Sequence, residues 1–124
     1  MTKAPATVVL VAHGSRVEEA NIAHLALART LADRSGSPVV AAYLELAQPD
    51  VPTALDDAVA TGANRIVVLP YFLLPGAHTT RDIPAIIESA RLRHPGVELT
   101  QATHLGADPA LLDALVSQVE RLDE

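Results

Sequence analysis

Two histidines stand where apolar runs come to an end. TVVLVA gives way to His13 in the stretch TVVLVAHGSR, and the run in LPYFLLPGAHTTRDIP breaks at Pro75 and Gly76, two residues before His78. An imidazole at such a place has two uses. Its unperturbed pKa of about 6.5 lets it take up a proton near neutrality, and its neutral nitrogen binds iron, cobalt, nickel and zinc. The chain has no cysteine, which excludes thiolate metal sites, cysteine nucleophiles and disulfides. His, Asp and Glu are the strong metal ligands that remain. Either histidine alone reads most simply as a polar loop residue. A pair at neighbouring strand ends points to a shared ligand.

The pattern around them has to bring the two together. Four strand-then-helix units are visible. TVVLVA, residues 7–12, is short and β-branched, as a strand buried on both faces should be. Residues 17–34 carry Ile22, Leu25, Ala26, Ala28 and Leu31 at helical spacing, with Gly36 closing the segment. PVVAAYLEL (38–46) predicts a second strand, followed by a helix from Pro52 to Thr61 that ends at Gly62. RIVVLPYFL (65–73) predicts the third strand, with Pro70 marking where regular pairing fails. A helix from Thr80 to Arg93 follows, stopped by HPG. VELTQAT (97–103) is the fourth strand, and Asp108 and Pro109 open a last helix.

This alternation implies an α/β three-layer sandwich: a four-stranded parallel sheet with right-handed crossovers and helices on both faces. The length of 124 residues suits one domain spanning 1–124. Small sheets of this kind commonly run 2-1-3-4, which makes strands 1 and 3 neighbours. Ligands bind beyond the C-terminal strand ends, where chain order reverses. His13 and His78 are then expected at one crevice.

Composition narrows the ligand. Hydrophobic residues make up 49 %, but the aromatics are only two Tyr and one Phe, too few for a base-stacking platform. With a net charge of −6 and no basic cluster, no nucleic-acid partner is expected. HGSRVEEA offers one glycine and two early acids, against a nucleotide-phosphate loop. No signal peptide and no run of about 18 apolar residues is present, so the expectation is a cytoplasmic protein without a membrane partner.

LVAHGSR together with LPYFLLPGAHTTRDIP some 55 residues on resembles the short class II tetrapyrrole chelatases, the single-domain sirohydrochlorin chelatases of the CbiX type. YLELAQPDVPTALDDAVATGANRIVVLP and LGADPALL are also similar to that family, so the resemblance covers nearly the whole chain. It implies a chelatase-like half-domain that inserts a divalent metal, Co2+, Fe2+ or Ni2+, into sirohydrochlorin in cobalamin- or sirohaem-type biosynthesis. It implies that His13 and His78 are the catalytic and metal-binding pair. It also implies a homodimer with no nucleotide and no tightly bound cofactor, the metal being a substrate. The alternative is a non-catalytic metal or tetrapyrrole carrier, and a flavodoxin-like binding module is a further rival.

Other residues near the two motifs are candidates for holding the substrate. Ser15 reads first as a helix cap and second as a contact for a substrate carboxylate. Arg16 and Arg81 suit the peripheral carboxylates of a polyacidic ring, or are solvated surface residues. Glu45, at the end of the second strand, fits metal binding or proton transfer; alternation also permits a surface role. Gly76 would let the chain turn sharply and let a flat ligand approach the backbone. Phe72 and Leu73 would form an apolar wall or pack in the core. Thr79 and Thr80 are expected to cap the third helix, with Asp82 in its first turn. His24 is expected as a surface or partly buried residue of the first helix, and His94 at the end of the third. His104 stands just before LG, where the family commonly has proline, and reads as a neutral difference before an added ligand.

Overall fold

The computed structural model describes residues 6–77 and 81–122. Four strands alternate with four helices: β1 (Thr7–Ala12), α1 (Glu18–Ser35), β2 (Val39–Tyr43), α2 (Val51–Ala60), β3 (Arg65–Pro70), α3 (Ile83–Arg93), β4 (Glu98–Gln101) and α4 (Pro109–Leu122). All strands are parallel, in the order β2-β1-β3-β4. The expected strand order is therefore observed, and β1 and β3 are paired from Thr7↔Ile66 to Val11↔Pro70.

Side chains alternate across a strand, so each strand serves two faces. Val9 and Val11 of β1, Ile66 and Val68 of β3 and Leu99 of β4 point to one side, where α2 and α3 cover them with Val51, Ala54, Leu55, Ile83 and Ile87. Leu10 and Ala41 point to the other, where α1 lays Ala28, Leu27 and Leu31 on them. Helices thus flank both faces, but unequally. The second face is covered beside β1 and β2 and thins out toward β4, where Glu98 and Thr100 are exposed. The last helix does not fill that space. None of the α4 side chains is buried, and it meets the domain chiefly through the 3-10 turn Leu105–Ala107.

Three strands end earlier than their apolar runs suggest. β2 stops at Tyr43, and Leu46 takes a left-handed φ of 67° before the chain turns into α2. Asp50 caps α2, accepting from the Thr53 N–H at 2.8 Å. β3 stops at Pro70, which removes the next ladder donor, although the Tyr71 N–H still reaches Val11 O at 2.8 Å. β4 spans only four residues of its predicted seven. Gly36 ends α1 with a φ of 74°, as the pattern predicts. α3 spans Ile83–Arg93, with Asp82 flanking it without a side-chain cap; the expected start at Thr80 and the expected caps Thr79 and Thr80 lie outside the described residues. Among the described residues no helix is long and apolar enough to cross a membrane.

At the far end of the sheet from the two motifs, α2 and α3 are tied by a small charged cluster. Asp56 Oδ1 accepts from His94 Nε2 at 2.8 Å and from Arg93 Nη2 at 3.0 Å. The hydrogen bond from His94, helped by Arg93, holds the Asp56 carboxyl below its ordinary value. Stability from this cluster is therefore present above the ordinary carboxylate value of about 3.9 and is lost as the pH falls through the lower folded value. Asp56→Asn is expected to cost about 0.5–1 kcal/mol at pH 7, since solvent screens a half-exposed group. In urea melts followed by circular dichroism, the gap between wild type and variant should close below about pH 4. A gap that stays constant to pH 3 would rule out the carboxylate as its cause.

Candidate active site at the strand ends

His13 is the first residue past β1, at the reversal of strand order between β1, β2 and β3. Backbone contacts on one side and a ring contact on the other surround it. The Glu45 N–H donates to His13 O at 3.0 Å, and the Leu44 N–H donates to Ala12 O at 3.0 Å, so pairing of the two chains continues beyond β2. Gly14 has a φ of +92°, and a Cβ there would lie 1.7 Å from Glu45 O. Only glycine permits this left-handed, backbone-on-backbone crossing. On the other side, the His13 ring stacks on Phe72 with centroids 4.4 Å apart and planes tilted by 35°. Phe72 is buried, whereas Tyr71, Leu73 and Leu74 around it are exposed. One expected wall residue is thus core and its neighbours form the surface.

His13 and Glu45 are both exposed and sit on adjoining loops at one sheet end, with the segment Tyr71–Ala77 beside them. His78 lies outside the described residues. Gly76 is exposed; its φ is not left-handed, and among the described residues nothing lies within 4 Å of a Cβ built there. Arg16 is exposed ahead of α1. Arg81 is exposed before α3, with Nε 3.3 Å from Asp82 Oδ1.

Ser15 does not cap α1. Its hydroxyl accepts from the Val17 N–H at 3.0 Å and closes a turn ahead of the helix, whose flanking residue is Val17. A hydroxyl that accepts there keeps its own hydrogen for another partner. Glu18 and Glu19 fill the first turn of α1 and make that helix start a poor anion site.

The pattern does not reveal what fixes this loop. Asn21, buried on α1, accepts from the Ser15 N–H at 2.9 Å and donates to Ser15 O at 2.8 Å. Its own carbonyl accepts from Tyr43 Oη at 2.7 Å. Burial, with the nearby Glu18 charge, pushes the Tyr43 phenol upward, so it stays a donor. His24 is buried too, only 6 % exposed, deeper than the surface or partly buried position expected of it. Its Nε2 lies 2.9 Å from Leu10 O and serves as the donor, and the ring packs against Tyr43 and Tyr71. The visible signal was two polar residues, 21 and 24, on the stripe that Ala28 and Leu31 continue. Asn21→Ala strips two partners from a half-buried backbone and is expected to cost about 1–3 kcal/mol. Thermal melts check this; an unchanged Tm would mean that water replaces the amide fully.

His104 is half-buried and lines a cavity of about 390 Å3 with Leu69, Thr103 and Asp108. Among the described residues no group of three or more His, Asp or Glu is arranged to hold a metal ion.

The CbiX family profile matches residues 7–122. This chain belongs to the CbiX family. It is 33 % identical over 114 residues to the chloroplastic sirohydrochlorin ferrochelatase of Arabidopsis thaliana, covering 91 % of this chain and 51 % of that one. It is 34 % identical to the sirohydrochlorin cobaltochelatase of Saccharolobus solfataricus, covering 90 % of this chain and 91 % of that one. Among solved structures, SirB from Bacillus subtilis with Fe3+ superposes at a TM-score of 0.84 with 28 % identity, covering 96 % of this CbiX-family chain and 48 % of SirB. The chain therefore spans about half the length of several relatives and nearly all of the Saccharolobus protein.

Proposed function

We propose that the protein inserts a divalent metal ion, cobalt or iron and by the same chemistry nickel, into sirohydrochlorin. It acts as a single-domain homodimer in the cytoplasm, on a route to a cobalamin- or sirohaem-type product. The observation that carries this reading is His13, an exposed imidazole braced by Phe72 at the strand-order reversal, with Glu45 on the adjoining loop. The named activities of relatives, iron insertion for one and cobalt insertion for another, support the substrate class.

Metallation exchanges one M2+ for two pyrrole N–H protons. In this reading His13 and His78 hold the partly desolvated ion by neutral nitrogens, and one of them accepts a departing proton. Glu45, whose backbone adjoins His13, is proposed to receive the second proton or to share the metal. Imidazole and carboxylate without thiolate suit delivery, because a closed four-ligand cage would retain the ion. Arg16, Arg81 and the Ser15 hydroxyl are the donors proposed for peripheral carboxylates, and the exposed backbone at Gly76 for the ring face.

Turnover separates catalyst from carrier. With protein at a hundredth of the tetrapyrrole concentration, the absorption spectrum of metal-free sirohydrochlorin should convert completely on adding Co2+ or Fe2+. Conversion that stops at one equivalent per chain would make the protein a carrier.

A further inference from the structure

The loops that carry His13 and Glu45 touch through backbone, and something must set how far apart their side chains stand. Glu45 lies two residues beyond the end of β2, and Leu46 then turns the chain away with a left-handed φ of 67°. His13 is followed by Gly14, the residue with the widest backbone freedom, so rotation there would swing the imidazole. Packing does not close this side. A cavity of about 200 Å3 opens against Glu18, Asn21, Tyr43 and Leu46.

Hydrogen bonds span the two loops at this place. Tyr43, the last residue of β2, is buried and reaches α1, its hydroxyl donating to Asn21 O at 2.7 Å. Asn21 is buried in turn. Its side-chain amide accepts from Ser15 N–H at 2.9 Å and donates to Ser15 O at 2.8 Å. Those two atoms belong to the two peptide planes on either side of Ser15, and each plane is rigid. Holding both planes fixes the backbone at Ser15 and takes from Gly14 the freedom its missing side chain allows. The link therefore runs from a residue two positions before Glu45 to a residue two positions after His13.

We propose that Tyr43 and Asn21 are positioning residues for metal insertion, their linked bonds holding the His13 imidazole and the Glu45 carboxylate at one fixed separation so that both meet the same ion. The proposal rests on the functional reading above and adds two residues to it. Both act through backbone atoms and not on the ion itself. A displacement of about 1 Å can cost about a hundredfold in rate, and two ligands that share an ion lose affinity for it together.

Two variants test the brace. Tyr43→Phe removes one hydroxyl and keeps the ring that packs against His24 at 5.2 Å; Asn21→Ala removes the grip on Ser15. Each should lower kcat about tenfold or more and raise KM for Co2+ about tenfold, with KM for sirohydrochlorin within about twofold. Loss of folded protein would move neither KM, and Asp56→Asn at the far end of the sheet serves as the destabilised control. Tyr43→Phe should add less than about twofold on top of Asn21→Ala, since it acts through that residue. Amide exchange in the metal-free chain needs no activity: Glu45 N–H, bound to His13 O, should exchange about tenfold faster in both variants relative to the amides of β1. Unchanged exchange at Glu45 overturns the brace whatever the rates do. Quickened exchange with kcat and the Co2+ KM unchanged overturns its part in the reaction. A wild type without turnover, with exchange quickened in both variants, overturns the functional reading and supports the brace.

Discussion

His13→Ala is expected to lower the rate of metal insertion by at least about a hundredfold, the range for loss of a positioned proton acceptor, and by more if the imidazole also holds the ion. The fold should survive. The ring is exposed, and the bonds that anchor this loop run through backbone atoms: Glu45 N–H to His13 O, and Leu44 N–H to Ala12 O. Among the described residues the variant gives up a tilted stack on Phe72, a contact worth about 1 kcal/mol. Activity and stability should therefore separate cleanly, with a large fall in kcat and a shift of only a few degrees in Tm. His78→Ala should behave alike if the two imidazoles share one ion. His13→Gln distinguishes roles, because an amide neither takes a proton near neutrality nor binds these metals well. Initial rates with Co2+ and Fe2+ across pH 6–8 make the measurement. Full activity in both alanine variants would discard the proposed mechanism.

Gly14→Ala should do the opposite, weakening the fold strongly through a residue with no chemistry of its own. The new methyl would meet Glu45 O at 1.7 Å and its carbonyl carbon at 2.9 Å, at a φ of +92° that L side chains avoid. Neither partner can withdraw easily, since the same two loops are held by the Glu45 N–H bond to His13 O. A steric conflict with backbone on both sides, added to a left-handed φ, is expected to cost about 3 kcal/mol or more. That is a large part of the roughly 5–15 kcal/mol that a domain has. Gly36→Ala is the control. It shares a positive φ of 74° but nothing lies within 4 Å of the added carbon, so it should cost about 1 kcal/mol. Equal denaturation midpoints for the two variants would show that φ alone matters and that the crossing is loose.

The strand order and the placement of His13 were legible because they follow from alternation of elements and from where an apolar run stops. Strand lengths were not. Tyr71, Phe72 and Leu73 continue the apolar pattern of β3, yet they have left the ladder, and Phe72 stays apolar because it is buried under His13. Periodicity reports burial and does not say whether a strand or a packed loop provides it. Gly76 drew attention as the glycine beside a histidine, while the crossings that need glycine are at 14 and 106. Their partners, Glu45 and Leu73, are more than 30 residues away in sequence, and no local pattern encodes them. The same holds for Asn21 and Tyr43, joined across 22 positions. The full burial of His24 was not legible, because no local pattern marks Leu10 O, 14 positions away, as the carbonyl that receives it. Amphipathicity of the last helix was visible, but a stripe of leucines and valines does not say whose surface it meets.

The backbone crossing at residues 14 and 45 decides which jaw of the cleft can yield. The jaw that carries both the imidazole and the carboxylate is spliced to its neighbour atom against atom and cannot hinge without tearing two hydrogen bonds. Beyond Leu73 the opposite jaw runs exposed to Ala77, and among the described residues nothing lies within 4 Å of a Cβ at Gly76. If the proposed reaction holds, adjustment to a broad, stiff ring falls to the exposed residues 74–77 and not to the spliced side that bears His13 and Glu45.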